Sequence, residues 1–359
     1  MTSLRLGLAL LFLPVPASSQ MEVHLEELWE IGAVNGPEHA TWQQISDVVA
    51  SDDHVYVLDN GLRTLRQFTI SGEYVRELGR VGQGPGEFSG PASIEPVEAG
   101  VQLFDVFARR CIEFDSAGRH ISTQPFPDYP GPLAPSRVIM LRHGWALSEL
   151  PTYGNQFDDY VTLFAIWRGE EADTIVVSRA LMTLFEIRPG VRRPLPPNTG
   201  PDQSVIAVGD SLVMVINGNR SEATGYRILE AGAVTLGTWS LPGSSRVVEG
   251  RERDVLRRLV EERRGSAEGS SLPDRWPAWV GIDDGGDGVV WVKQGGVQNL
   301  PEIGPAEVWL RWQVGTEGFA RLEVPSGVRL LDMQGSVAVG ARHDDLDVPY
   351  LVAFRVVER

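Results

Sequence analysis

The chain has little cysteine, lysine or histidine and no long apolar run. Cys111 is the only cysteine in 359 residues. No internal disulfide can staple the fold, so burial and strand pairing must hold it. Lys293 is the only lysine, and arginine carries nearly all the positive charge. Positive charge is itself scarce: Lys+Arg is 32 against Asp+Glu 48, a net charge of −16. Such a surface repels phosphate backbones and anionic bilayers, which argues against nucleic acid and general membrane docking. The histidines are His24, His39, His54, His120, His143 and His343, with no closely spaced ligand pair among them. No Ser-His-Asp order or nucleophile elbow is present. The apolar run Leu6–Leu13 is too short to span a bilayer. With Arg5 before it and Ala17-Ser18-Ser19 after it, it reads as a secretory signal over residues 1–19, cleaved near Ser19/Gln20. The protein is then exported, periplasmic or extracellular, with no integral membrane segment left.

What is present is a repeat. Val55-Tyr56-Val57-Leu58-Asp59 is followed by Arg63, Phe68 and Gly72. Val101-Gln102-Leu103-Phe104-Asp105 is followed by Arg109, Phe114 and Gly118, an offset of 46 residues without a gap. A period of this size, carried by short strands and glycine turns, marks a β-propeller blade. Length alone suggests two domains. A closed all-β array takes residues 20–359 as one.

The pattern predicts an all-β fold: a six-bladed β-propeller with four-stranded antiparallel blades. Blade one covers Ile45–Gly79, blade two Ala92–Gln124, blade three Arg137–Arg179, blade four Ser204–Leu241 and blade five Ala278–Val324. Blade six has only three strands after Gly327, and the N-terminal strand Glu22–Trp29 is expected to complete it and close the ring. Closure removes exposed strand edges. Arg246–Arg264 carries apolar residues at helical spacing (Val248, Val255, Leu256, Leu259, Val260), a short helical insertion between blades four and five. Arg188–Pro201 reads as an irregular Pro-rich linker. Cys111 aligns with Leu65, a core strand position.

Tyr56-Val57-Leu58-Asp59, Phe68 and Gly72 resemble the NHL-type repeat. Gly79–Phe88 with Pro91 resembles the linker of a group of secreted bacterial six-bladed β-propeller proteins. Leu272-Pro273, Val289–Val292, Val328–Asp332 and Asp344–Asp347 extend that resemblance over most of the chain. The resemblance implies the propeller fold and the count of six; it brings no activity.

Two motifs invite chemistry and are better read as structure. Gly82–Phe88 has alternating glycines but neither the Lys-Ser/Thr nor the following helix of a phosphate loop; it is a blade crossing with Phe88 as plug and Glu87 capping backbone donors. Asp283–Gly288 begins like a calcium loop but has Gln294 where the bidentate glutamate belongs; it is a tight turn. The propeller topology puts the long connections on one end and short turns on the other. Recognition belongs on the long-loop face, near Arg63, Arg109, Arg110, Tyr153, Asn155, Asn217 and Asn219. The function expected is a binding or scaffold module for a protein, peptide or glycan, acting as a monomer. The alternative is a propeller enzyme, a metal-dependent lactonase or lyase with a site on the central axis. No cofactor is expected. The places where a metal fits are the channel and a long-loop grouping of His39, His343, Asp344 and Asp345.

Overall fold

A computed structural model of the chain describes residues 21–51, 53–126, 135, 137–153, 160–168, 171–179, 184–188, 191–195, 203–263, 274–296 and 307–358. Its strands are short, rich in Val, Ile, Leu and aromatic residues, and separated by Gly, Asp and Ser turns. In chain order they begin with β1 (Met21–Ile31), β2 (Ile45–Ala50), β3 (His54–Asp59), β4 (Thr64–Thr69) and β5 (Tyr74–Leu78). A two-residue pair, β6 (Arg80–Val81) and β7 (Glu87–Phe88), leads to β8 (Pro91–Val97), β9 (Gly100–Asp105), β10 (Arg110–Asp115) and β11 (His120–Pro125). Then come β12 (Arg137–Met140), β13 (Ala146–Tyr153), β14 (Tyr160–Arg168) and β15 (Glu171–Arg179). A ribbon of β16 (Leu184–Arg188) and β17 (Val191–Leu195) precedes β18 (Gln203–Val208), β19 (Leu212–Asn217), β20 (Glu222–Leu229) and β21 (Gly232–Ser240). Next are β22 (Arg246–Val247), the helix α1 (Gly250–Arg263) and β23 (Arg275–Trp276). The last strands are β24 (Trp279–Asp284), β25 (Val289–Gln294), β26 (Val308–Gln313), β27 (Phe319–Glu323), β28 (Val328–Gln334), β29 (Val337–His343) and β30 (Pro349–Glu358).

Four separate four-stranded sheets form in sequence order: β2–β5, β8–β11, β12–β15 and β18–β21. β6–β7, β16–β17 and β22–β23 are separate two-stranded pairs, and an eight-stranded sheet takes the other strands in the order β24-β25-β26-β27-β1-β30-β29-β28. It divides into two antiparallel runs, β24–β27 and β28-β29-β30-β1. They are joined where β1 pairs in parallel with β27, Met21 opposite Ala320. β1 pairs antiparallel with β30 over Val23–Ile31. The expected partnership of the N-terminal strand with the last strands is therefore present, and it extends to the neighbouring run as well. Trp29 donates from Nε1 to Ile70 O and its ring lies on Gly72, so β1 also holds the β2–β5 sheet.

The fold is all-β and propeller-like. Each core cluster draws apolar side chains from two neighbouring runs. Val49, Tyr56, Leu58 and Leu65 of the first sheet pack with Leu103, Ile112 and Phe114 of the second. Phe104 and Cys111 pack with Trp167 of the third, whose Ile166 meets Val213 of the fourth. Met214 meets Trp312 of the fifth run, and Trp309 meets Phe354 of the sixth. Val339 and Ala353 then meet Val57 and Phe68 of the first sheet. Cys111 is in a core, as its alignment implied, and burial pushes its thiol up to about 12.

Two expectations shift. The helix begins at Gly250 rather than Arg246, because Arg246–Val247 pairs as a strand with Arg275–Trp276. Val248 and Val255 are buried as the stripe predicted. The linker expected over Arg188–Pro201 is partly a hairpin, with Arg188 opposite Val191 and Leu184 opposite Leu195. The leader over residues 1–19 lies outside the described residues.

Candidate functional site

The first strands of the runs (β2, β8, β12, β18, β24 and β28) line one cavity of about 600 Å³. Its walls are the C-terminal halves of those strands and the turns that follow, including Glu98, Asp210 and Gly286–Gly288. It therefore lies toward the short-turn end. The sequence reading named a site on the axis only as an alternative, and its charged lining, Asp283 apart, was not picked out because those residues sit inside strands that otherwise read as apolar.

Those charges have a structural logic. The first strand of a run has a free edge facing the cavity, and its backbone groups need partners. Side chains from the neighbouring strand supply them. Asp332 accepts from Ala50 N at 2.5 Å, joining β28 to β2. Asp47 accepts from Ile94 N at 2.9 Å, joining β2 to β8. Glu95 accepts both nitrogens of the Arg137 fork, at 2.6 and 3.1 Å, joining β8 to β12. Arg142 pairs with Asp210 after β12 and β18. Asp284 accepts from Gly209 N, and Ser204 donates to Val280 O, joining β18 to β24. Gly335 N reaches Gly285 O beyond β24 and β28.

Arg137 stands among the acids Asp47, Glu95, Glu149 and Asp283. Although burial works against it, the Glu95 carboxylate holds the guanidinium firmly charged. Asp47 and Asp283 are half-buried yet hemmed in by the channel wall. That desolvation raises Asp47 to about 6 and Asp283 to about 7, against the pull of Arg137. Desolvation, then the charge of Asp283, raises Asp332 well above the ordinary range. Acids in this state serve as hydrogen-bonding wall groups. Among the described residues, no three His, Cys, Asp or Glu side chains are grouped to hold a metal ion.

At the opposite end the repeat explains itself. Asp59 is fully buried and accepts from Gln43 N, Gln44 N and Leu62 N at 2.7, 3.1 and 2.9 Å. Asp105 does the same for Ser89, Gly90 and Ala108 at 2.8, 3.0 and 3.1 Å. Each aspartate ties the incoming crossing to the tip between the second and third strands. The crossing Gly79–Gly90 carries the expected plug: Phe88 is fully buried, and Glu87 accepts from Gly84 N at 2.8 Å. Glycine is required at Gly79, where φ is +64° and a Cβ would strike the Gly86 carbonyl. The crossings lie against the next sheet's outer strand: Gly86 meets His120, and His39 stacks on Tyr74 at 4.4 Å.

The residues singled out from sequence fall into separate groups. Arg63 and Arg109 are exposed at matching tips, with φ of 55° and 49°. Arg110 is engaged, donating to Gln83 O, Gly82 O and Glu87 O. Asn217 caps its own tip, accepting from Arg220 N, while Asn219 is exposed there. Tyr153 ends β13, and Asn155 lies outside the described residues. His343 ends β29. Asp344 accepts from Leu346 N and Val348 N, a turn role. Asp345 is exposed beside it. Backbone donors lower the Asp344 carboxyl. His39, His343, Asp344 and Asp345 form no metal grouping.

A family profile described as a 6-bladed beta-propeller matches residues 34–142. No curated protein matches the chain. Among solved structures it is similar to an exported protein, so described as putative, from Bacteroides fragilis, with 14% identity and a TM-score of 0.50. That match covers 97% of this chain and 98% of the other. It is also similar to a member of the duf4221 family from Bacteroides vulgatus, with 10% identity, a TM-score of 0.53, and coverage of 95% and 99%. At these identities the likeness is one of fold. No helix among the described residues is long and apolar enough to cross a membrane.

Proposed function

We propose that the chain is a closed six-bladed propeller of the NHL-like kind, exported after loss of residues 1–19. It acts as a binding or scaffold module whose recognition surface is the end carrying the second-to-third-strand tips. The sequential core clusters and the pairing of β1 with β30 support the ring. The exported relative supports the location by analogy alone.

One observation carries the choice of surface. The tips of three neighbouring runs each expose a large apolar side chain: Leu346 at 79%, Leu62 at 40% and Phe107 at 79%. Each of these tips is held rigid by an aspartate. Exposed apolar groups on a pinned scaffold mark recognition more than solvation does. The enzymatic alternative needs convergent ligands on the axis, and the described residues supply no such grouping.

The test is binding of the mature chain to peptide and glycan arrays. Leu62→Ser with Phe107→Ser should remove the captured signal, and Glu98→Gln with Asp287→Asn at the cavity mouth should leave it. The reverse pattern would move recognition to the cavity.

A further inference from the structure

We propose that the tips at Leu62–Arg63 and Phe107–Arg109 together form a docking site for an acidic protein segment anchored by an apolar side chain. This rests on the reading of that end as the recognition surface.

Arg63 and Arg109 occupy equivalent places, each immediately before the third strand of its sheet, and each has a left-handed backbone. Ser221 takes the same place before β20, with φ of 53°. The conformation is thus a demand of the tip, and it is met without arginine. Glycine would meet it with no Cβ clash. A bulky side chain held at such a position is a sign of use beyond the fold.

The two guanidiniums make no hydrogen bond or ion pair among the described residues. Their neighbours contrast with them. Arg110 is bound to three carbonyls, and Arg66 donates to Thr41 O and lies over Trp42. Leu62 and Phe107 stand beside the free cations, and the Phe107 ring lies on Gly90. The two tips belong to sheets that share one core, so they are fixed relative to each other.

Charge complementarity selects the occupant. Free cations flanked by apolar groups suit carboxylates flanked by apolar groups. A bilayer would also press on Asp344, Asp345 and Asp347 of the adjacent tip, in a chain of net charge −16. A narrow acidic segment needs to engage only the tips of the first two sheets.

The experiment measures binding of the mature chain to synthetic peptides whose Asp/Glu and Leu/Phe contents vary independently. Peptides rich in both should bind, and removing either feature should weaken binding roughly tenfold. Arg63→Ser with Arg109→Ser should weaken binding by a similar factor and flatten its salt dependence. Serine is chosen because Ser221 shows that it fits, so the thermal midpoint should not fall. Equal binding of basic peptides, or no effect of the double variant, overturns the proposal. So does binding of phosphatidylglycerol vesicles in place of peptides. If neutral or basic probes bind and Leu62→Ser with Phe107→Ser removes them, the recognition surface stands and its acidic specificity falls. If no probe responds to any tip variant, both fall.

Discussion

Asp59 and Asp105 are the residues on which the repeat turns. Each is fully buried, and each satisfies three backbone donors of the tip and crossing. Asp59→Ala should cost about 3 kcal/mol, since several buried N–H groups would be stranded together. Asp59→Asn keeps one carbonyl oxygen and should cost about half of that. Chemical denaturation of the two variants checks this; equal losses would mean that charge, not acceptor count, sets the value. The sequence displayed these aspartates as an alignment and gave no hint of their partners. Those partners are backbone groups, and backbone groups leave no mark in a residue string.

At the scale of elements, strands were legible where turn residues punctuate apolar runs. All strands of the first two sheets fall where the repeat put them. The hairpin β16–β17 was not foreseen, because prolines and arginines in Arg188–Pro201 hide its alternation. The helix start was misplaced because a two-residue strand pairs only with residues far along the chain. The cavity acids were hidden for a related reason. Asp47 and Asp332 look like stray polar residues until the neighbouring strand's free edge is known. A charge inside a buried first strand was the available signal. The element most open to test is β1. Deleting residues 22–31 would strip the edge of β30 and remove the Trp29 bond to Ile70. The truncated chain should melt well below the untruncated one by calorimetry. Equal melting would remove β1 from the set of elements that hold the fold.

For the whole molecule, the channel acids set how stability varies with acidity. Asp47 near 6, Asp283 near 7 and Asp332 well raised bind protons in the fold that the unfolded chain has already released. Their stabilisation is complete below about pH 4 and is lost as pH rises through about 6 to 7. The midpoint of thermal unfolding should therefore fall from pH 5.5 to pH 8, reporting a loss of stability on the order of 2 kcal/mol. Added salt should recover part of it by screening the excess negative charge. A midpoint that rises over this range would mean that these carboxyls are ionised in the fold. The pairing of β1 carries a separate consequence for assembly. It is the first described strand to be synthesised, yet its partners β27 and β30 are the last in their runs. Contacts of such sequence separation form late. The N-terminal strand stays unpaired until β27 and then β30 are made, so the join of an early strand to two late ones is among the last contacts of the fold to form.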